Sequence, residues 1–210
     1  MFITNPDIEN YIRNLTTVED EVLLEMEKLG HELNFPIVDR LVGKFIYLIT
    51  KIKNPKLVVE LGSGFGYSGY WFAKALTSGK VVLSDYKEEN IKKAKEFFKR
   101  GNLLEKAEFF VGDALEVAKQ YKNIDILFID HEKSRYLQAI QTLENNLADN
   151  ALVIADNVLW DGKVLSDNPD NQTKGIKNFT KYMFENKNFE TCIVPIRDGV
   201  LLARKKWNIF

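Results

Sequence analysis

Leu57-Val58-Val59-Glu60-Leu61-Gly62-Ser63-Gly64-Phe65-Gly66-Tyr67-Ser68 is the stretch around which the chain is organised. An apolar run carrying one carboxylate ends in a glycine-rich turn, and residues 67–76 then read as a helix. A short apolar run closed by glycines has the pattern of a buried parallel strand. Glycine lets the backbone take positive φ and lets a ligand approach bare amides. The helix that follows offers unpaired N–H groups and the positive end of its dipole to an anion. The stretch therefore reads as a strand–loop–helix nucleotide cradle. The alternative is a tight β–α turn with no ligand.

Downstream, strands and helices alternate. Residues 81–85 form a second strand and 88–100 an amphipathic helix, whose Lys92, Lys93, Lys95, Lys99 and Arg100 read as a solvated face. Residues 107–111 are a third strand, and Gly112-Asp113 opens a short helix. Residues 124–129 and 151–155 are strands four and five, with a helix over 133–146 between them. A helix at 173–185 precedes two last strands, 189–194 and 200–204, around an Arg197-Asp198-Gly199 turn. Upstream, 6–52 reads as three helices. Asn5-Pro6 starts the first. The second, 19–33, carries Val22, Leu23, Met26 and Leu29 at helical spacing. Pro36 interrupts, the third spans 38–52, and Asn54-Pro55 turns the chain into the glycine-rich unit.

Repeated βα units imply a parallel sheet with helices on both faces. Ligands bind such sheets at the carboxyl ends of the strands. That rule selects Glu60 to Ser68, Asp85, Asp113, Asp130-His131 and Asp156-Asn157, all at one edge.

Bulk composition narrows the class. The 210 residues suffice for one α/β domain with a sizeable core. A hydrophobic content of 45% and a charged content of 28% are those of a soluble globular protein. A net charge of −1 provides no global basic field to attract nucleic acid. Cys192 is the only cysteine, which excludes an intrachain disulfide and a thiolate zinc cluster and fits a cytoplasmic setting. The first residues have no basic segment followed by an apolar run, so no signal peptide is expected. No apolar stretch approaches the ~20 residues of a membrane span.

Each polar candidate has a chemistry. Asp85 ends a strand about 20 residues after the glycines, where a carboxylate accepts hydrogen bonds from both ribose hydroxyls; it can also cap a helix. Asp113 either holds an adenine amino group or caps the helix it opens. Gly62-x-Gly64-x-Gly66 behind Glu60 suits S-adenosylmethionine, whereas Gly64-x-Gly66-x-x-Gly69 satisfies the dinucleotide fingerprint. Asp130, Asp156 and Asn157 offer three oxygen ligands from two strand ends, a set that suits a hard cation such as Mg²⁺; capping and turn formation are their other reading. A partly desolvated lysine beside such a cation has its pKa lowered and can act as a base. Lys133, three residues beyond Asp130, is placed for that role. His131 reads as a packing or cofactor-shelf residue.

Phe128-Ile129-Asp130-His131-Glu132-Lys133-Ser134-Arg135-Tyr136, together with Ala155-Asp156-Asn157-Val158-Leu159-Trp160-Asp161-Gly162, resembles the cation-dependent O-methyltransferases, among them catechol and caffeoyl-CoA O-methyltransferases. Pro195-Ile196-x-Asp198-Gly199-Val200 is similar to the closing strands of the plant and bacterial branch. The likeness runs from about residue 35 to the end. It implies a Rossmann-like class I methyltransferase: a seven-stranded, mostly parallel sheet with the last strand antiparallel. Residues 1–210 would form a single methyltransferase domain, with helices over 1–52 and the cofactor-binding α/β core over 53–210. It implies S-adenosylmethionine on Val38, Glu60, Gly62, Ser63, Gly64, Ser68, Asp85, Tyr86, Asp113, Ala114 and Asp130 or His131. It implies Mg²⁺ on Asp130, Asp156 and Asn157, with Asp130 and Lys133 as the catalytic pair and Lys133 as base. Glu132 stands where the catechol enzyme has an aromatic wall.

The implied acceptor is a small hydroxylated aromatic with two neighbouring oxygens, and a homodimer is expected. Trp160 walls the acceptor ring or fills the core. A hydroxylated tRNA uridine is a second acceptor reading, with Lys174, Lys177 and Lys181 as its basic surface. Rivals of other classes are an NAD-dependent oxidoreductase and a non-catalytic nucleotide-binding protein.

Overall fold

The computed structural model describes residues 3–207; Met1, Phe2 and 208–210, which the ranges above include, lie outside the described residues. Three helices lead: α1 Pro6–Leu15, α2 Glu21–Glu32 and α3 Arg40–Lys53. Each begins where a side chain satisfies the first orphan amides. Asn5 accepts from the Asp7 N–H at 2.8 Å, Asp20 from Val22 and Leu23 at 3.0 and 3.2 Å, and Asp39 from Leu41 at 2.8 Å. The Asp39 cap starts the third helix at Arg40, later than the apolar pattern alone indicates, and leaves Val38 in the preceding loop. Helix α2 buries Leu23 and Met26. Helix α1 buries no residue; Arg13–Asp39 at 2.7 Å and Arg197–Glu9 at 2.8 Å hold it.

The remaining elements are β1 Leu57–Leu61, α4 Tyr67–Ala75, β2 Lys80–Asp85, α5 Glu88–Arg100, β3 Ala107–Val111, α6 Ala114–Ala118, β4 Ile124–Ile129, α7 Tyr136–Leu143, β5 Leu147–Ala155, α8 Asn171–Glu185, β6 Phe189–Val194 and β7 Val200–Lys205. The seven strands lie in the order β3-β2-β1-β4-β5-β7-β6. Pairing is parallel from β3 to β5, and β7 runs antiparallel to both β5 and β6. The sheet and its single reversed strand are those expected. Ile126, Leu127, Phe128 and Ile129 are all fully buried, as a central parallel strand covered on both faces must be. One face packs Tyr136, Ile140, Ile176 and Phe179; the other packs Met26, Ile46, Phe72 and Phe98.

The helix expected over 133–146 is broken into a 3-10 turn at Lys133–Arg135, α7, and a second 3-10 turn at Glu144–Asn146. Asn146 is buried, and its amide donates to the carbonyls of Lys119 at 3.3 Å and Tyr121 at 2.7 Å. These bonds tie the chain to the segment before β4, and Leu147 then pairs with Ile124, which starts β5 early. Helix α8 likewise starts before 173, because Asp170 caps it through Thr173 N–H at 2.7 Å.

Gly69 sits where α4 crosses the sheet. A Cβ there would lie 2.4 Å from Leu83 Cδ2 and 2.8 Å from Glu60 Oε2. This glycine permits close helix–strand packing, so its place in a dinucleotide-like spacing has a purely steric cause. Gly69→Ala is expected to cost about 1–3 kcal/mol, the usual penalty of overpacking, in urea unfolding. Leu83→Val in the same chain should return part of that loss.

Candidate active site

The carboxyl ends of β1, β2 and β4 surround a cavity of about 410 Å³. The glycine loop shapes its floor. Gly62, Gly64 and Gly66 have φ of 91°, 50° and 89°, which side chains rarely adopt. A Cβ on Gly62 would come within 2.6 Å of the Asp130 carbonyl, so the ends of β1 and β4 approach only because that atom is missing. Gly62, Ser63, Gly64 and Ser68 line the cavity with Val38, Asp85, Tyr86, Ala114, Asp130 and His131.

Glu60 lies fully buried beneath this loop. The Ser68 hydroxyl donates to its Oε1, and Oε2 has no partner. Burial pushes the carboxyl up to about 8; the Asp130 and Asp85 charges add to this and the Ser68 bond opposes it. Asp85 receives the Lys87 N–H at 2.8 Å and the Asn90 amide at 3.0 Å on Oδ1. Asp113 caps α6 through Leu115 and Glu116, at 2.7 and 3.2 Å. Its Oδ2 accepts from Tyr86 Oη at 2.5 Å and Arg135 Nη2 at 3.0 Å. Burial works against the charge, but these bonds prevail and hold the Asp113 carboxyl at about 2. Its cap role is thus observed, and its second oxygen clasps two wall residues. His131 Nδ1 lies 3.0 Å from the Glu132 carbonyl, which assigns the proton to Nδ1; Nε2 is buried without a partner. Burial lowers the imidazole to about 4, so the ring is neutral near pH 7.

Beside the cavity the second group converges. Lys133, 7% exposed, donates from Nζ to Asp130 Oδ1 at 2.7 Å and to Tyr136 Oη at 2.8 Å. Tyr136 Oη passes its own hydrogen to the Asp156 carbonyl at 3.1 Å. Asp156 is 3% exposed and its Oδ1 has no partner. Burial, with the Asp130 charge next, raises its carboxyl well above the usual range. Asn157 follows at φ 58°. Among the described residues no three His, Cys, Asp or Glu side chains group as metal ligands; the set here is two carboxylates and an amide. A buried carboxylate oxygen without a donor is the environment a cation satisfies, so these residues fit the Mg²⁺ that the motifs imply.

Several lining residues had no signal in spacing. Phe35, Pro36, Ile37 and Arg135 also line the cavity. Phe35 packs on Phe65 with ring centroids 5.0 Å apart. Tyr136 ends the quoted motif, yet only its contacts show that it holds Lys133. Asn90, which steadies Asp85, reads in sequence as one more polar residue of α5.

A mostly parallel sheet whose strand ends carry a glycine loop, acidic residues and an oxygen-rich cluster is the arrangement of nucleotide-cofactor enzymes. The family model described as O-methyltransferase matches residues 14–206. A catechol O-methyltransferase of Niastella koreensis is 28% identical over 93% of this chain and 95% of its own. A methyltransferase from Geobacter sulfurreducens has the same fold with a TM-score of 0.86 and 34% identity, over 97% and 99% of the two chains. An O-methyltransferase from Bacillus cereus, solved in complex with SAH, matches with a TM-score of 0.86 and 25% identity, over 95% and 97%. This chain therefore belongs to the O-methyltransferase family, enzymes that depend on S-adenosylmethionine. Methyl transfer thus prevails over nicotinamide chemistry, a choice that the glycine spacing had left open. Among the described residues no helix is long and apolar enough to cross a membrane.

Glu60 makes stability depend on pH. In the folded chain it keeps its proton up to about 8, whereas in the unfolded chain it loses it near the ordinary 4.5. The folded state therefore binds more protons between these values, and stability falls as pH rises through that window. Glu60→Gln keeps the shape and removes the proton. Its Tm advantage over wild type, measured without cofactor, is expected to grow from pH 5 to pH 9.

Proposed function

We propose that this enzyme moves the methyl group of S-adenosylmethionine to one hydroxyl of a small aromatic with two adjacent oxygens, with a divalent cation such as Mg²⁺. The observation that carries this reading is Lys133 Nζ bonded to Asp130 beside the unpartnered Oδ1 of buried Asp156. The name of the Niastella relative supports the acceptor class.

Glu60, Gly62, Ser63, Gly64 and Ser68 take the amino-acid end of the cofactor, with Asp130. Asp85 takes the ribose hydroxyls. Val38, Tyr86, Ala114 and His131 wall the rest, and Asp113 serves the purine end through Tyr86. S-adenosylmethionine supplies an already activated methyl group. Asp130, Asp156 and Asn157 would hold the cation, which would supply positive charge beside the acceptor oxygens and lower their pKa. Lys133 takes the proton of the attacking hydroxyl at Nζ. Asp130 and Tyr136 fix that nitrogen in place, and positioning of the acceptor in line with the methyl lowers the barrier further.

Activity on a catechol is expected to vanish with chelator and return with Mg²⁺. Asp156→Ala should lose metal activation and still bind S-adenosylhomocysteine by calorimetry. Lys133→Ala should bind both metal and cofactor and turn over about 10²–10⁴-fold more slowly, the usual contribution of a positioned base. A matched monophenol that reacts as fast as the catechol would overturn the two-oxygen reading.

We propose in addition that the enzyme is a homodimer through α1. Its Ile8, Tyr11, Ile12 and Leu15, at i, i+3, i+4 and i+7, are 53, 63, 43 and 65% exposed. That row is the apolar stripe of a packed helix, and a second copy of the chain would cover it. Light scattering at micromolar concentration is expected to give twice the chain mass, and Ile12→Glu with Leu15→Glu the single mass.

A further inference from the structure

The segment after Asn157 is bent against its own preferences. Trp160, Asp161 and Gly162 have φ of 50°, 52° and 78° in succession. A left-handed backbone is costly for a bulky residue such as Trp160, and such strain persists only where the surroundings enforce it. The enforcing surface is the turn before β7. Val158 N–H donates to the Gly199 carbonyl at 3.0 Å, and Leu159 N–H to the Asp198 carbonyl at 2.9 Å. The Asp161 N–H donates to Asp198 Oδ1 at 2.5 Å, the one side-chain bond in the set. Gly199 lies under Leu159, where a Cβ would meet Leu159 Cγ at 2.4 Å.

The strained pair carries Trp160 to a defined place. Lys133 Nζ is 5.8 Å from its ring and Lys163 Nζ 5.2 Å, both within cation–π range. Its indole Nε1 is buried without a partner. The ring is thus part of what covers Lys133 Nζ. The bond to Asp161 N–H fixes the backbone between Trp160 and Gly162, the neighbours on either side that also carry positive φ.

We propose that Asp198 is a positioning residue whose carboxylate latches residues 157–162 and so keeps Trp160 over Lys133. The consequence for turnover rests on the reading of Lys133 as base, whereas the latch itself does not. The bond asks for an acceptor oxygen at that reach, which asparagine keeps and alanine lacks.

The test uses full-length protein labelled with 5-fluorotryptophan, which has three tryptophans; Trp160→Phe assigns the resonance. In Asp198→Ala the Trp160 signal is expected to move toward the solvent-exposed position and to gain sensitivity to a soluble paramagnetic relaxation agent. Asp198→Asn should keep the wild-type signal. The dissociation constant for S-adenosylhomocysteine should stay within about twofold, because Asp198 does not line the cofactor cavity, and kcat on a catechol should fall about 10–100-fold in the alanine variant, the scale of a misplaced site. Should Asp198→Ala fail to fold, Asp198→Ser, whose oxygen is too short to reach Asp161, is measured in its place. An unchanged Trp160 signal in the variant without the latch, or equal damage by asparagine, overturns the proposal. A moved signal in a protein that never transfers methyl groups keeps the latch and overturns the proposed function instead.

Discussion

The register between β4 and β5 is the constraint on which the site depends. Ile129 pairs with Ala155, so the next residues, Asp130 and Asp156, leave the sheet side by side. A slip of one residue would turn one carboxylate to the opposite face. Residues 126–129 of β4 are buried on both faces, and Asp125 at its start accepts from the Lys56 and Leu57 N–H groups at 2.8 and 3.1 Å. The pairing of β1 with β4 sets Leu61 beside Ile129, which brings the glycine loop against the Asp130 carbonyl and joins the cofactor cavity to the oxygen cluster.

Placing carboxylates in a dry sheet edge has an electrostatic cost that the fold meets in two ways. Asp113 is surrounded by donors, and its charge is retained. Glu60 and Asp156 are buried with too few donors, and burial raises both. Carboxyls held in that second way mark positions where the protein alone does not complete the electrostatics. Such perturbed groups concentrate at functional sites because a ligand brings the missing charge or donor. Lys133 Nζ is buried between one carboxylate and one hydroxyl, those of Asp130 and Tyr136.

Backbone strain marks the same edge. Apart from glycine and asparagine, the described residues with positive φ are Trp160, Asp161 and Arg197, and they belong to the two loops that bond to each other after β5 and before β7. The helices of the first third of the chain are tied to this edge through polar contacts. Tyr67, at the start of α4, donates to Glu27 at 2.6 Å, and Asp39 next to Val38 binds Arg13. Movement of the leading helices would therefore be felt at the cofactor cavity.

The strand and helix pattern, the single sheet edge, and the short list of Glu60, the glycines, Asp85, Asp113, Asp130, Lys133, Asp156 and Asn157 were determined by the sequence alone. Apolar run length, glycine punctuation and carboxylates at strand ends are local properties, legible one segment at a time. Only the tertiary structure decided which of those groups are satisfied. Asp113 is held by Tyr86 and Arg135, Lys133 by Tyr136, and Trp160 by the turn at Asp198, and each of these partners comes from another loop or from a side-chain direction that spacing does not encode. The split of the helix after Asp130 was likewise beyond reach, because buried Asn146 ends it through carbonyls at 119 and 121. Long-range hydrogen bonds and shared burial are properties of pairs, and a pair exists only once the chain has folded.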